Sequence, residues 1–212
     1  IIDEKEGSII SYDKKANWHL KYLNMTQAEN VIATISIIKE LKLEPKIINS
    51  VISNLKPLSG RGEKLTINFD KNQKTFIIDD SYNANPASMK AALHNFNKLK
   101  EKKCEFESVI IISDMLELGD CSKKMHLELV PILQKIKPDL LLTIGNHLKN
   151  INDQLKLTLN CHSYCNTDAL IKDIRKIVKP NQIILLKGSN GTGLWKLVPL
   201  FKNIIQENAS AA

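Results

Sequence analysis

Asp79-Asp80-Ser81-Tyr82-Asn83-Ala84-Asn85-Pro86 crowds two carboxylates, two amides, a phenol and a hydroxyl into a single turn of the chain. An apolar run precedes it and a helical pattern starts at Pro86, so the cluster spans a strand-to-helix junction. Successive strand residues point to opposite faces of a sheet, which gives Asp79 and Asp80 different jobs. An Asx-rich turn with Asn85 capping the following helix explains Asn85 and Pro86, but not the other polar side chains. A second cluster, Ser113-Asp114-Met115-Leu116-Glu117-Leu118-Gly119, follows a Val-Ile-Ile-Ile run. There Asp114 and Glu117 can meet a cation or hydroxyl; alternatively it is a short turn plugged into the core by Leu116 and Leu118. The third is Lys187-Gly188-Ser189-Asn190-Gly191-Thr192-Gly193. Its glycines let a ligand approach the backbone, and a helix start beyond it favours a carboxylate or phosphate; a plain glycine-rich turn is the alternative. It is neither a P-loop, since no G-x-x-x-x-G-K-[ST] occurs, nor the dinucleotide fingerprint, whose glycine order differs. Arg61, between Gly60 and Gly62, is a guanidinium placed to reach a phosphate as domains close, or else a solvated linker residue.

The elements that must hold these residues follow from periodicity. A capping box at Thr26-x-x-Glu29 opens a helix with Val31, Ile32, Ile35, Ile38 and Leu41 on one stripe. Pro45 starts a second short helix with Ile47, Ile48, Val51, Ile52 and Leu55. The first 16 residues read as polar and irregular, at most a hairpin. Pro57-Leu58-Ser59-Gly60-Arg61-Gly62 marks a domain boundary or hinge. Beyond it, strands at 64–69 and 74–79 flank a turn, and a helix from Pro86 presents Met89, Ala92, Leu93, Phe96 and Leu99. Further strands fall at 108–113, 140–144, 159–164 and 182–186. Helices capped by Ser122 and Thr167, one over 147–155, and one opened by Thr192 lie between and after them, with a break expected at Pro131. Strands alternating with helices define an α/β fold with a mostly parallel sheet and helices on both faces. In such sheets ligands bind beyond the carboxyl ends of the strands, where all three polar clusters fall.

Composition narrows the function. Hydrophobic residues are 43% and charged residues 25%, ordinary globular usage that rules out disorder as the main state. No apolar run is long enough for a membrane span. The net charge of +7 comes almost wholly from lysine, Arg61 and Arg175 being the only arginines. With aromatics at 5%, that is a solvated lysine surface rather than a nucleic-acid interface. Cys104, Cys121, Cys161 and Cys165 are expected to be reduced thiols of a cytoplasmic protein, without the paired C-x-x-C of a zinc site. The start at Ile1-Ile2, without an initiator Met, suggests a piece of a longer protein.

Together, Gly60-Arg61, Ile78-Asp79-Asp80-Ser81-Tyr82-Asn83-Ala84-Asn85-Pro86-x-Ser88-Met89, Asp114-Met115-Leu116-Glu117-Leu118-Gly119 and Lys187-Gly188-Ser189 resemble the Mur ligase family. The D-D-S-Y-N-A-N-P string is similar to the branch whose acceptor is D-alanyl-D-alanine. The resemblance implies a Rossmann-like C-terminal domain at 60–212, preceded at 1–59 by a helical remnant of the central ATP-binding domain. It implies a cytoplasmic enzyme of peptidoglycan precursor synthesis, which uses ATP and Mg2+ to join D-alanyl-D-alanine to UDP-N-acetylmuramoyl-tripeptide through an acyl phosphate. Partners would be these substrates and the N-terminal and central domains of the same protein, with no nucleic acid and no membrane span. Arg61 would reach the terminal phosphate, Asp80 the ribose and Asn30 the adenine. Tyr82, Asn83, Asn85, Asp114, Glu117, Lys187 and Ser189 would line the substrate side, with no metal ligand among these residues. The chain departs from the family pattern at Ser113, where glycine is frequent, and at Asn190 and Leu194-Trp195-Lys196, where arginine and later Met-Glu are usual. No P-loop, magnesium ligand or UDP-binding domain lies within it, so this piece is expected to bind no nucleotide and to be inactive alone. A folylpolyglutamate-synthase-like domain and a stand-alone, non-enzymatic Rossmann-like binding module are the alternatives.

Overall fold

The computed structural model describes residues 2–4, 7–12, 16–20, 25–43, 58–70 and 72–210. The chain divides into two compact units, 1–58 and 59–212. In the first, β1 (Ile2–Glu4), β2 (Gly7–Tyr12) and β3 (Ala16–Leu20) form an antiparallel sheet in that order. This corrects the irregular reading of the first residues. The strands are short, and the sequence between them carries no Asn-Gly or Pro signal for a reader to find. Helix α1 (Met25–Glu40) buries Ala28, Val31 and Ile35, one stripe at spacings of three and four, while Leu41 stands exposed. The second helix expected from Pro45 lies outside the described residues.

The second unit is one six-stranded sheet. β4 (Glu63–Asp70) and β5 (Gln73–Asp80) form an antiparallel hairpin. β6 (Glu107–Ser113), β7 (Leu140–Ile144), β8 (Cys161–Tyr164) and β9 (Gln182–Lys187) run parallel to β5. The order is β4-β5-β9-β6-β7-β8. Val109 and Ile111 of β6, with Ile184 and Leu186 of β9, face one apolar layer. Ile110 and Ile112, with Ile183 and Leu185, face another. This two-sided burial is why the strands read as continuous apolar runs.

Helices α2 (Pro86–Lys102), α4 (Val130–Ile136) and α5 (Asn146–Leu155) cover the second layer through Leu93, Leu133 and Ile151. The first layer is covered by α6 (Thr167–Ile171), α7 (Ile174–Ile177) and α8 (Leu197–Ser210), through Leu170, Ile174 and Phe201. The expected break at Pro131 separates α3 (Ser122–Leu127) from α4, since a proline there lacks the N–H and clashes with the carbonyl four residues back.

Three hydroxyl caps are corrected. Ser122 lies inside α3, whose preceding residue, Cys121, makes no side-chain cap. Asn166, not Thr167, caps α6 by accepting from the Ala169 N–H at 2.9 Å. Thr167 instead donates to the Thr192 carbonyl at 2.7 Å. Thr192 sits in a 3-10 turn, and α8 starts only at Leu197. Gly193, at φ +73°, breaks the path between them, and a second 3-10 turn, Leu194–Lys196, leads into α8.

Candidate functional site

Because β5, β9 and β6 are consecutive neighbours, the turns that leave their carboxyl ends meet. Asp80 of β5 and Ile112 of β6 are both register partners of Lys187. Ser189 joins all three turns through one hydroxyl. Its Oγ accepts from the Leu116 N–H at 3.0 Å and donates to the Ala84 carbonyl at 3.4 Å. The convergence expected from a parallel sheet is thus met by a direct bond.

The alternation along β5 sends its two carboxylates apart. Asp80 lies on the α2 side and pairs with Lys187 Nζ at 3.0 Å; the lysine is 2% exposed. Nζ also donates to the Asn83 carbonyl at 2.6 Å. Burial pushes the Asp80 carboxyl up from its ordinary value, and Lys187 opposes that rise.

Asp79 lies on the α8 side, buried. It accepts from Gly60 N–H at 3.0 Å, and from the Ser81 N–H and Oγ at 3.1 and 2.5 Å. Gly62 N–H donates to its carbonyl and Tyr82 N–H to that of Gly60, so residues 60–62 are fastened to the end of β5. Gly60 is required there: its φ is +73°, and a Cβ would come 2.9 Å from Tyr82 Cβ. Arg61 lies over the exposed Tyr82 ring, Cζ 4.4 Å from the centroid. Beside them opens a cavity of about 600 Å3 lined by Gly60, Asp79, Tyr82, Asn190, Trp195 and Lys202.

The other residues singled out from sequence have definite partners. Asn85 caps α2, accepting from the Ser88 N–H at 2.8 Å, while Ser88 Oγ accepts from the Asn85 N–H. Asn83 Oδ1 accepts from the Ala84 N–H. Asp114 accepts from the His147 and Leu148 N–H groups at 3.2 and 2.9 Å, placing a carboxylate on the first turn of α5. Glu117 is exposed at φ +63°. Met115, not Leu116, plugs the second turn into the core; Leu116 is 42% exposed and Leu118 half-buried. Asn30 is exposed on α1 in the first unit, its carbonyl accepting from Thr34. Sequence reasoning passed over His126, which is buried and bonded to Met115 N–H, and noted Trp195, half-exposed on the cavity wall, only as a departure from the family pattern. Only its nearness to the Asp114–Gly119 motif in sequence hinted at His126.

Ser113 explains a tight approach. A Cβ on Gly188 would stand 1.7 Å from Ser113 Oγ, which lies 2.7 Å from Thr192 Oγ1. Gly188→Ala is therefore expected to destabilise the unit by about 1–3 kcal/mol in urea denaturation, as overpacking does. Adding Ser113→Gly is expected to restore much of that loss. A Gly188→Ala variant as stable as the parent would mean the two turns separate at no cost.

Among the described residues no group of three or more His, Cys, Asp and Glu is arranged to hold a metal, and no helix is long and apolar enough to cross a membrane. The four cysteines are free.

Fold and site together define a doubly wound α/β domain whose three polar turns gather at the carboxyl edge of its sheet, the edge where such folds bind ligands. The chain belongs to the Mur ligase family: the family described as "Mur ligase, glutamate ligase domain" matches residues 60–190. It is 31% identical over 175 residues to the UDP-N-acetylmuramoyl-tripeptide--D-alanyl-D-alanine ligase of Rickettsia prowazekii, covering 82% of this chain and 37% of that protein. The Escherichia coli ligase of the same name is 26% identical over 183 residues, 85% of this chain and 37% of the relative. The chain thus spans little more than a third of the length of these relatives. Among solved structures, MurF from Acinetobacter baumannii matches 88% of this chain and 40% of its own at TM-score 0.70 and 22% identity. MurF ligase from Thermotoga maritima, in complex with ADP, matches 97% of this chain and 45% of its own at TM-score 0.68 and 20% identity. These two likenesses bear on the fold.

Proposed function

We propose that this chain is the C-terminal part of an ATP-dependent, cytoplasmic ligase that adds D-alanyl-D-alanine to UDP-N-acetylmuramoyl-tripeptide in peptidoglycan precursor synthesis. The observation that carries the reading is the meeting of three polar turns on Ser189, with Lys187–Asp80 to one side and Arg61–Tyr82 to the other. The named relatives supply the substrates. Residues 1–59 would belong to the central ATP-binding domain, with Asn30 toward the adenine.

ATP, when bound, supplies the phosphoryl group that activates the tripeptide carboxylate, which the dipeptide amine then attacks with loss of phosphate. The donor set here suits that nucleotide: Arg61 is a cation at the rim of the second unit, and Asp80 is an acceptor for a ribose hydroxyl. Among the described residues no group of three or more His, Cys, Asp and Glu is arranged to hold a metal, so a magnesium ion would be held by the nucleotide phosphates and residues of the central domain. What this chain contributes is charge and position. Arg61 lies over Tyr82, whose ring lines the cavity, and would leave that face to neutralise a phosphoryl oxygen. Lys187 holds the turn carrying Asn83 and Asn85 while remaining the buried cation beneath the acceptor. Asp114 and Asn85 spend their oxygens on helix starts, so they shape backbone, leaving Tyr82, Glu117 and the Ser189 turn to face the dipeptide.

The test is phosphate release by the full-length parent protein with ATP, the tripeptide precursor and D-alanyl-D-alanine. Turnover is expected from the full-length protein and none from the 212-residue chain. Arg61→Ala in the full-length protein is expected to lower kcat about 100-fold, the scale of one lost charge-stabilising donor, and to leave the unfolding midpoint in place. Unchanged kinetics would remove Arg61 from the reaction, and no turnover by the parent would end the reading.

A further inference from the structure

His126 is 1% exposed on α3, and none of the roles above uses it. Its Nε2 receives the Met115 N–H at 2.9 Å. Its Nδ1 lies 2.7 Å from the Ser122 carbonyl. An amide N–H only donates and a carbonyl only accepts, so the partners dictate the protonation. Nδ1 carries the hydrogen, Nε2 offers its lone pair, and the ring is neutral. It stacks on His147, centroids 4.9 Å apart and planes 19° apart.

The ring therefore pins the turn after β6. Met115 is bonded to His126, and the next N–H, that of Leu116, reaches Ser189 Oγ at 3.0 Å. Asp114, just before, lies with Oδ1 3.9 Å from His126 Nε2 while it accepts the N–H groups that begin α5. A proton on Nε2 would face the Met115 N–H donor to donor and break that bond. It would also draw the Asp114 carboxylate off His147 and Leu148.

We propose that His126 is a positioning residue for the acceptor side of the site: the neutral ring holds the Asp114–Leu116 turn against Ser189, and protonation releases it. The acceptor role of that turn rests on the function proposed above; the holding of the turn does not. The groups facing the ring are Asp114 from the turn after β6, which favours protonation, and His147 from α5, which opposes it. Asp120 on the preceding 3-10 turn and Lys123 and Lys124 on α3 itself are exposed. Burial is the largest influence and pushes the imidazole below its ordinary value, with the Ser122 carbonyl opposing. The unfolded chain then takes up the proton first. The stability given by the neutral ring is complete above the ordinary imidazole range, about pH 6.5, and is lost as pH falls below it.

Two measurements decide the matter. On this chain, 15N spectra of the histidines are expected to show the Nδ1–H tautomer at position 126 at pH 8. The Met115 and Leu116 amide signals are expected to shift with His126 as it titrates. In His126→Gln, whose side-chain oxygen can accept from Met115 without titrating, those shifts are expected to vanish. In the full-length ligase, KM for D-alanyl-D-alanine is compared at pH 8 and at a pH below the midpoint of the Met115 amide titration, for the parent and for His126→Gln. Ionisation of the dipeptide amine is common to both and cancels. The parent's KM ratio is expected to exceed the variant's about fivefold, the worth of one hydrogen bond, with similar kcat ratios. An Nε2–H tautomer, amides indifferent to the titration, or equal KM ratios would overturn the proposal. If the glutamine variant fails to fold, the parent's tautomer and amide titration still decide it. If the parent catalyses no ligation, the function reading fails while the amide titration still reports whether His126 holds the turn.

Discussion

Lys187→Met is expected to destabilise the second unit by about 3 kcal/mol at pH 7, the low end of what breaking a buried ion pair costs, because Asp80 keeps some solvent. The lysine side chain is 3% exposed and that of Asp80 27%. Removing Nζ leaves a largely desolvated carboxylate uncompensated and the Asn83 carbonyl without its donor. The pH dependence has a definite sign. Burial already raises the Asp80 carboxyl in the fold, and Lys187 holds it down. Without the lysine the folded value climbs further above the unfolded one, so the folded state binds the proton more tightly. The variant is then expected to recover stability as pH falls through that raised folded value, which urea titrations between pH 8 and pH 5 would show. Lys187→Met with Asp80→Asn is expected to be closer to the parent than Lys187→Met alone, the signature of coupling in a double-mutant cycle. A single variant equally destabilised at every pH would mean Asp80 does not carry the penalty.

Asp79→Ala is expected to cost about 3 kcal/mol or more in the same denaturation measurement. One buried carboxylate there accepts three hydrogen bonds, and each orphaned donor carries its own desolvation penalty. The loss has a local meaning as well. Gly60 N–H is one of those donors, and Arg61 follows it, so the variant releases the guanidinium from its place over Tyr82. Asp79→Asn keeps one acceptor and is expected to lose about half as much stability. In the full-length ligase it is expected to reduce turnover toward the level of Arg61→Ala. Full activity with a loosened Gly60 would mean Arg61 finds its position from the other side of the active site.

The parts of this architecture readable from sequence are those with a repeating physical cause. Val109 to Ile112 and Ile183 to Leu186 are apolar at every position because both faces of the sheet are covered, and that alone predicted parallel strands. Parallel strands in turn placed the three polar turns at one edge. The opposite orientation of Asp79 and Asp80 followed from the pleat. What could not be read depends on meetings between distant residues. Ser189 reaches Ala84 and Leu116 across 105 and 73 positions. His126 serves the turn after β6 only because α3 folds back over it. The cap errors have a shared origin, since a hydroxyl near a helix start does not declare its partner. Thr167 spends its own on Thr192, and Asn166 takes the cap. The Gly-Arg-Gly segment looked like the moving part of a hinge. The boundary between units falls just before it, after Leu58, and Asp79 clasps residues 60–62 to the second unit.

The place of β9 has a consequence for how the domain is made. It lies between β5 and β6, yet of the six described strands of this sheet it comes last in the chain. Until Gln182–Lys187 emerges from the ribosome, the β4–β5 hairpin and the β6–β7–β8 ribbon have no strand to join them. Each presents a bare hydrogen-bonding border to other nascent chains. A ribosome that stalls or terminates before residue 182 would therefore release two sticky half-sheets rather than a shortened domain.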